Sequence, residues 1–442
     1  MLINVFLLYR PDVLDEDETN DTRILQGGEW GRERWWYKLA HVCRRWRSLI
    51  LGSASYLNIS LLCTHGTPVA DMLAHSSPLP LVIDYLIRRP DITSEDEEGI
   101  TLALQHRHRV HRIRLEMTMA SLQKSINSID KEFPMLIFLY LAPRTTPAMD
   151  DDRLTLPETF QAPQLHHLVL TNFSFVHRSP LLTTAFSLVA LSLSEHYGSA
   201  YILPGKLLQL LSLMLQLEVL VIAFDNSVIV DPSEMAHVTL PNLRWFAFQG
   251  LVPYLEVLLP RITTPLLEKL TITLFSRLPI SLPSLQQFMG ASEKLKVRSA
   301  RFTFFDGGVT MLGYPHEGAR KYTIRVGISC RPYTQLFFTT QFFNALDMIR
   351  STVECLTVAH GLSSEVQSDL DLYPILWRDF LRLFCNVKTL FADHKLIGVL
   401  SRSLRPDDGE PPLDRLPELK ELEYLADGEA SDPFLAFVDA AD

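Results

Sequence analysis

The chain has 442 residues, 47% hydrophobic and 21% charged, with a formal net charge of −10 at pH 7. It can bury a core larger than one small domain, and its long-range field has the wrong sign for general affinity to nucleic acid or anionic membrane. The five cysteines, Cys43, Cys63, Cys330, Cys355 and Cys385, are odd in number, far apart and without a CxxC pair. That argues against a disulfide framework or a zinc site and for a reducing intracellular compartment, cytoplasmic or nuclear.

In chain order, the first ten residues, MLINVFLLYR, lack a basic leader region and a small-residue cleavage site and stop at Pro11, so they make a poor signal peptide. Leu2, Ile3, Phe6 and Leu7 form a short apolar helical face. Residues 11–34 are an acidic, glycine-containing insertion. WYKLAHVCRRWRSLILGS, residues 36–53, then sets Leu39, Val42, Cys43, Trp46, Leu49 and Ile50 on one helical face, with Arg44, Arg45 and Arg47 outside it and Gly52 as a stop. An aliphatic strand is expected over 56–62. The unit 1–62 is too small to bury all its apolar surface and needs a partner. Trp46 has two readings, a docking side chain or a packing residue of the local core; Cys43 reads as a small hydrophobe.

Residues 63–105 read as an adapter, with a strand over 79–86 and an acidic linker over 90–99. QHRHRVHRIRL, residues 105–115, could suggest metal ligation by His106, His108 and His111 or a nucleic-acid patch, but more simply describes a strand with one wet face.

From there to about residue 425 a triplet of apolar residues recurs at positions a, a+3 and a+5. The clearest copies are Leu165/Leu168/Leu170, Leu188/Leu191/Leu193, Leu217/Leu220/Ile222, Leu243/Phe246/Phe248 and Leu267/Leu270/Ile272. Looser copies are Val110/Ile113/Leu115, Leu136/Leu139/Leu141, Val297/Ala300/Phe302, Thr323/Val326/Ile328, Val353/Leu356/Val358, Val387/Leu390/Ala392 and Leu419/Leu422/Tyr424. In each unit a+3 and a+5 point the same way from a strand, and a closes the turn before it. Stacked units predict a parallel sheet over 106–425, with helices such as 205–215, 284–292 and 339–351 on its other side. The alternative is an ordinary α/β sheet with leucine-rich strands. The acidic end, 426–442, carries Phe434, Leu435, Phe437 and Val438 and reads as a cap or tail.

The triplets resemble the leucine-rich repeat, LxxLxL, with Asn172 as the one plausible copy of that family's asparagine. LINVFLLY followed by LAHVCRRWRSLILGSASYLNISL is similar to the F-box, whose second half runs through Leu, Val-Cys, two basic residues and Trp to a small-residue turn. The F-box joined to irregular leucine-rich repeats is frequent in families from mushroom-forming fungi. The resemblance implies an α/β protein with a helical head and a curved repeat solenoid. Its implied role is to recruit substrates for a cullin-type ubiquitin ligase, without chemistry of its own, or to serve as a repeat scaffold without ligase involvement. Leu2, Ile3, Phe6, Leu7, Val42, Cys43 and Trp46 would then dock on the Skp-type linker protein, with Arg44 and Arg45 at the rim.

Positions a+2, a+4 and a+6 map the other side of the sheet, where a protein substrate would bind. They give Val169, Val219, Val221 and Trp245 in the middle, flanked by Arg112 and Arg114 and by Lys269, Arg301 and Arg325. These basic groups suit an acidic partner or else decorate solvated strand positions, with Glu421 and Glu423 at the equivalent sites of the last unit. GxSxG, Walker, GxGxxG and HExxH motifs are all missing, so no catalytic residue, metal or cofactor is expected. The greasy run 207–224 is interrupted by Gln209, Ser212, Gln216 and Glu218, which disfavours a membrane span.

Overall fold

A computed structural model describes residues 35–53, 57, 59–75, 79–86, 92–144, 154–173, 179–195, 202–224, 236–275, 281–361, 374–404 and 416–425. Leu2, Ile3, Phe6, Leu7, the insertion 11–34 and the end 426–442 lie outside them. The chain divides into two compact α/β units, residues 1–226 and 227–442.

In the first unit, seven strands follow one another in the sheet in chain order: β1 (Leu61–Cys63), β2 (Leu81–Tyr85), β3 (Val110–Met117), β4 (Phe138–Pro143), β5 (His167–Thr171), β6 (Ala190–Glu195) and β7 (Val219–Phe224). Every adjacent pair is parallel. The segment read as an adapter therefore supplies β2, and its junction with the head supplies β1, to the same sheet as the repeats. The triplets set the register, with Ile113, Leu139, Leu168, Leu191 and Leu220 in one row and Leu115, Leu141, Leu170, Leu193 and Ile222 in the next. All ten are no more than 1% exposed, and burying each such side chain stabilises by roughly 1.5–3 kcal/mol.

The a residue closes the turn before each strand by a recurrent hydrogen bond. The N–H groups of Leu136, Leu165, Leu188 and Leu217 donate to the carbonyls of Phe133, Ala162, Ala185 and Met214, three residues back. The neighbouring amide then joins the next rung, as His166 donates to Ile137 O and Val189 to His166 O. Local turn and sheet ladder thus share one backbone pattern, which satisfies the groups a buried turn would otherwise strand. Asn172, just past β5, takes a positive φ of 58°, a conformation that asparagine tolerates better than most residues.

The second unit departs from the expected order. Its sheet runs β9 (Trp245–Gly250), β11 (Lys269–Phe275), β14 (Ile324–Ser329), β13 (Gly308–Tyr314), β12 (Ser299–Phe305), β15 (Cys355–Gly361), β16 (Thr389–Asp393) and β17 (Glu421–Leu425). β13 is antiparallel to both its neighbours and the other pairings are parallel. A short parallel pair, β8 (Val238–Thr239) with β10 (Ile262–Thr263), stands apart from this sheet.

The triplets of β11 and β12 are therefore not neighbours, because a hairpin folds β12 onto β13 and delivers β14 beside β11. The expected triplet Thr323/Val326/Ile328 is also out of step: Ile324 and Val326 lie opposite Leu270 and Ile272. Thr323 donates its N–H to Gly313 O of the hairpin rather than closing a repeat turn. Gly308 opens β13 at φ 150°, where a Cβ would overlap the carbonyl oxygen of Ile328.

Helices lie against the a+3/a+5 face. Phe246 meets Phe288 of helix Pro283–Gly290 with centroids 6.2 Å apart, and Phe302 meets Phe343 of helix Gln335–Asn344 at 5.0 Å. The helix expected over 205–215 spans Pro204–Leu211. The stretch 339–351 divides into Gln335–Asn344 and Asp347–Arg350.

Residues 35–53 form two helices, Trp35–Ala40 and Arg44–Gly52, where the sequence suggested one continuous stripe. Cys43 breaks the run: its backbone is extended (φ −160°, ψ 167°) and its Sγ accepts the Trp46 N–H at 3.4 Å, capping the second helix. Arg47 Nε donates to Ala40 O at 3.1 Å across the turn.

Candidate functional site

The helical pair buries only part of its apolar stripe. Leu39 and Ile50 are buried, whereas Val42 is 59% exposed, Cys43 is exposed and Trp46 is half-buried. The capped turn projects Val42 and Cys43 outward one residue ahead of Arg44 and Arg45, which are also exposed. This is a small apolar spot with a basic rim. The packing reading of Trp46 is met only partly, since Trp36, Leu39 and Ile50 carry the burial.

The second surface is the sheet face opposite the helices. In the first unit the register sets Arg112, Phe138, His167, Ala190 and Val219 in one row and Arg114, Tyr140, Val169, Ser192 and Val221 in another. Arg112, Val219 and Val221 are half-buried and Val169 is buried. Arg114 is buried as well, and it sits opposite Asp84. Its Nε and Nη2 donate to the two carboxylate oxygens at 2.8 and 2.6 Å. The base expected to meet a substrate thus has an acid of its own chain. The cue was Asp84 itself, an acid inside an otherwise apolar strand, with Arg114 thirty residues on.

Burial dominates the electrostatics of this face. It raises the Glu116 carboxyl despite Arg144 and Arg114, and pushes the Tyr140 phenol up to about 12 with Glu116 adding to the effect. Burial, then His166 and Arg112, lowers the His167 imidazole, so this ring is neutral at pH 7.

In the second unit Trp245 is buried, and its Nε1 donates to Thr271 Oγ1 at 3.3 Å. Lys269 places its Nζ 5.2 Å from the Trp245 ring and 4.3 Å from the Tyr322 ring. Arg325 and Arg301 are exposed and share one row with Leu312 between them. Sequence reasoning found both arginines but placed no strand between them.

Buried groups elsewhere serve the fold. Asp96 receives the Gly66 N–H at 2.9 Å and forms a capping box with Thr93, with His65 Nδ1 at 3.6 Å. Cys63 and Cys330 are pushed up to about 11, chiefly by burial, which leaves both as thiols rather than nucleophiles. A cavity of about 280 Å³ lies between β10 and helix Pro283–Gly290, with Thr263, Ser284, Gln287 and Phe288 among its walls. Among the described residues there is no group of three His, Cys, Asp or Glu that could hold a metal, and no helix long and apolar enough to cross a membrane. No protein-family model matches the sequence, and no curated protein matches it.

Proposed function

We propose that the chain is a substrate-recognition adapter of a cullin-type ubiquitin ligase, with the helical head as an F-box docking on a Skp-type linker protein. The repeats would form a leucine-rich-repeat solenoid whose helix-free sheet face holds a protein substrate. The protein would have no chemistry of its own and would act inside the cell, in the cytoplasm, the nucleus or both.

The observation that carries this reading is the exposure of Val42 and Cys43, with Trp46 half-buried, beside Arg44 and Arg45. A helical pair that needed those side chains for its own core would have turned them inward. The succession of parallel strands β1 to β7 supports the substrate-binding half, since each repeat adds one more strand of outward side chains.

Calorimetric titration of the full chain with a purified Skp-type linker tests it. Binding is expected, and Trp46→Ala and Val42→Asp should each weaken it at least about tenfold with little change in melting temperature. A wild-type chain that does not bind the linker would leave a repeat scaffold without ligase involvement.

A further inference from the structure

In the second unit, the short strands β8 and β10 each lead into a strand of the main sheet, Val238 ahead of Trp245 and Ile262 ahead of Lys269 at the same spacing. β8 pairs with β10 as β9 pairs with β11. The pattern stops there. β14, the next strand beside β11, is entered from the β13 hairpin and brings no lead-in strand of its own. Among the described residues no third strand adds to β10, and its outer edge stays open.

That edge keeps one acceptor and one donor. Leu240 donates its N–H to Thr263 O, and a planar trans peptide sends the Thr264 N–H the opposite way, off the pair. The parallel ladder likewise turns the Thr263 N–H toward β8 and the Ile262 carbonyl outward. Neither Ile262 O nor the Thr264 N–H bonds another described residue. Their companions are taken, since the Ile262 N–H donates to Leu259 O and Thr264 O accepts from Leu267. The cavity of about 280 Å³ lies on this side of β10: its far wall is Ser284, Gln287, Phe288 and Ala291, and no residue of β8 itself lines it. Ile262 is buried and Thr264 half-buried, so a partner for the two groups would be favoured.

We propose that this slot takes an extended, uncharged peptide segment of a protein partner, which adds to β10 as a third strand. The spacing of the two groups is what identifies the occupant. A carbonyl and an N–H two residues apart on one strand edge are met by the N–H and carbonyl of a single residue in a parallel partner, or of two flanking residues in an antiparallel one. Charge selects further. No wall residue is Asp, Glu, Lys or Arg, so an ionised side chain would lose water there without gaining a counter-ion. Leu259, Ile262 and Phe288 suit a small apolar side chain, and the hydroxyls of Thr263 and Ser284 suit a neighbouring polar one. The volume falls just under the roughly 300–1,000 Å³ of ordinary small-ligand sites, which fits a short segment rather than a folded module. This site needs neither the helical head nor the linker protein.

Fluorescein-labelled degenerate hexapeptide pools, titrated against the full chain by anisotropy, test it. One pool is drawn from Ala, Val, Thr, Ser and Gln; a second carries Asp and a third Lys at both central positions, and a fourth repeats the first with both central amides N-methylated. The uncharged pool should bind at least about tenfold more tightly than the other three. Thr264→Pro deletes the outward N–H but no hydrogen bond of the fold, and the extended backbone at Thr263 suits a following proline. This variant should melt no earlier than the wild type and lose most of the binding. Ala291→Trp, at an exposed position on the cavity wall, should fill the slot and lose it as well, and it decides the matter if the proline variant melts early. An uncharged pool that binds no better than the charged or N-methylated pools, or undiminished binding by the Ala291→Trp variant, would overturn strand addition.

Discussion

Asp84 and Arg114 bind one another in a buried, bidentate pair, so removing one partner leaves the other charge stranded. Asp84→Ala should destabilise the protein by about 3–5 kcal/mol in urea denaturation, whereas Asp84→Leu with Arg114→Met should cost much less than either single change. Asp96 gives a different signature. Burial alone would raise its carboxyl, but hydrogen bonds from the Gly66 N–H and from Thr93 outweigh that and hold it low. A carboxyl depressed in the folded state stabilises above its unfolded pKa, about 3.9, and that contribution is lost as pH falls through the lower folded value. The melting temperature of the wild type should therefore exceed that of Asp96→Asn at neutral pH, and the gap should close as pH drops below about 4.

At the scale of strands and turns, most of the pattern was legible because one requirement writes it twice. The a+3 and a+5 residues must face the helices, and the a residue must close the turn; all twelve a+3/a+5 pairs fall on strands, and in nine triplets the N–H of the a residue closes a turn. The second unit's reversed order was hidden for a local reason. β13 carries Val309, Met311 and Leu312 without a triplet, and its only sharp cue is the Asp306-Gly307-Gly308 turn, a hairpin signal lost in a search for long repeats. Once β13 intervenes, the repeat spacing no longer governs β14, which explains the slipped register at Thr323. Gly308 is where this hairpin is most vulnerable. Gly308→Ala should destabilise by at least about 1–3 kcal/mol, the usual range for strained backbone, read from thermal or urea unfolding. The helical head was legible as an apolar stripe but not as two helices, since the break depends on the Cys43 thiol acting as a cap.

Taken as a whole, the chain separates two kinds of surface. The head offers a small apolar spot with a basic rim, while the sheet faces offer rows of polar and aromatic side chains in fixed register. Overall charge says little about either, because an acidic total coexists with Arg112, Arg301 and Arg325 on strand faces. Spacing gave these arginines their face, but only the structure shows that Arg114 has an acid of its own and that Arg301 and Arg325 do not. Under the proposed function, such a division of labour would make the linker and the substrate independent ligands. Hydrogen exchange of the full chain, with and without a purified Skp-type linker protein, tests that claim most directly. The account predicts slowed exchange in peptides covering residues 35–53 and unchanged exchange in β3 to β7 and β9 to β17; protection on those strands, or none in the helical head, would contradict it.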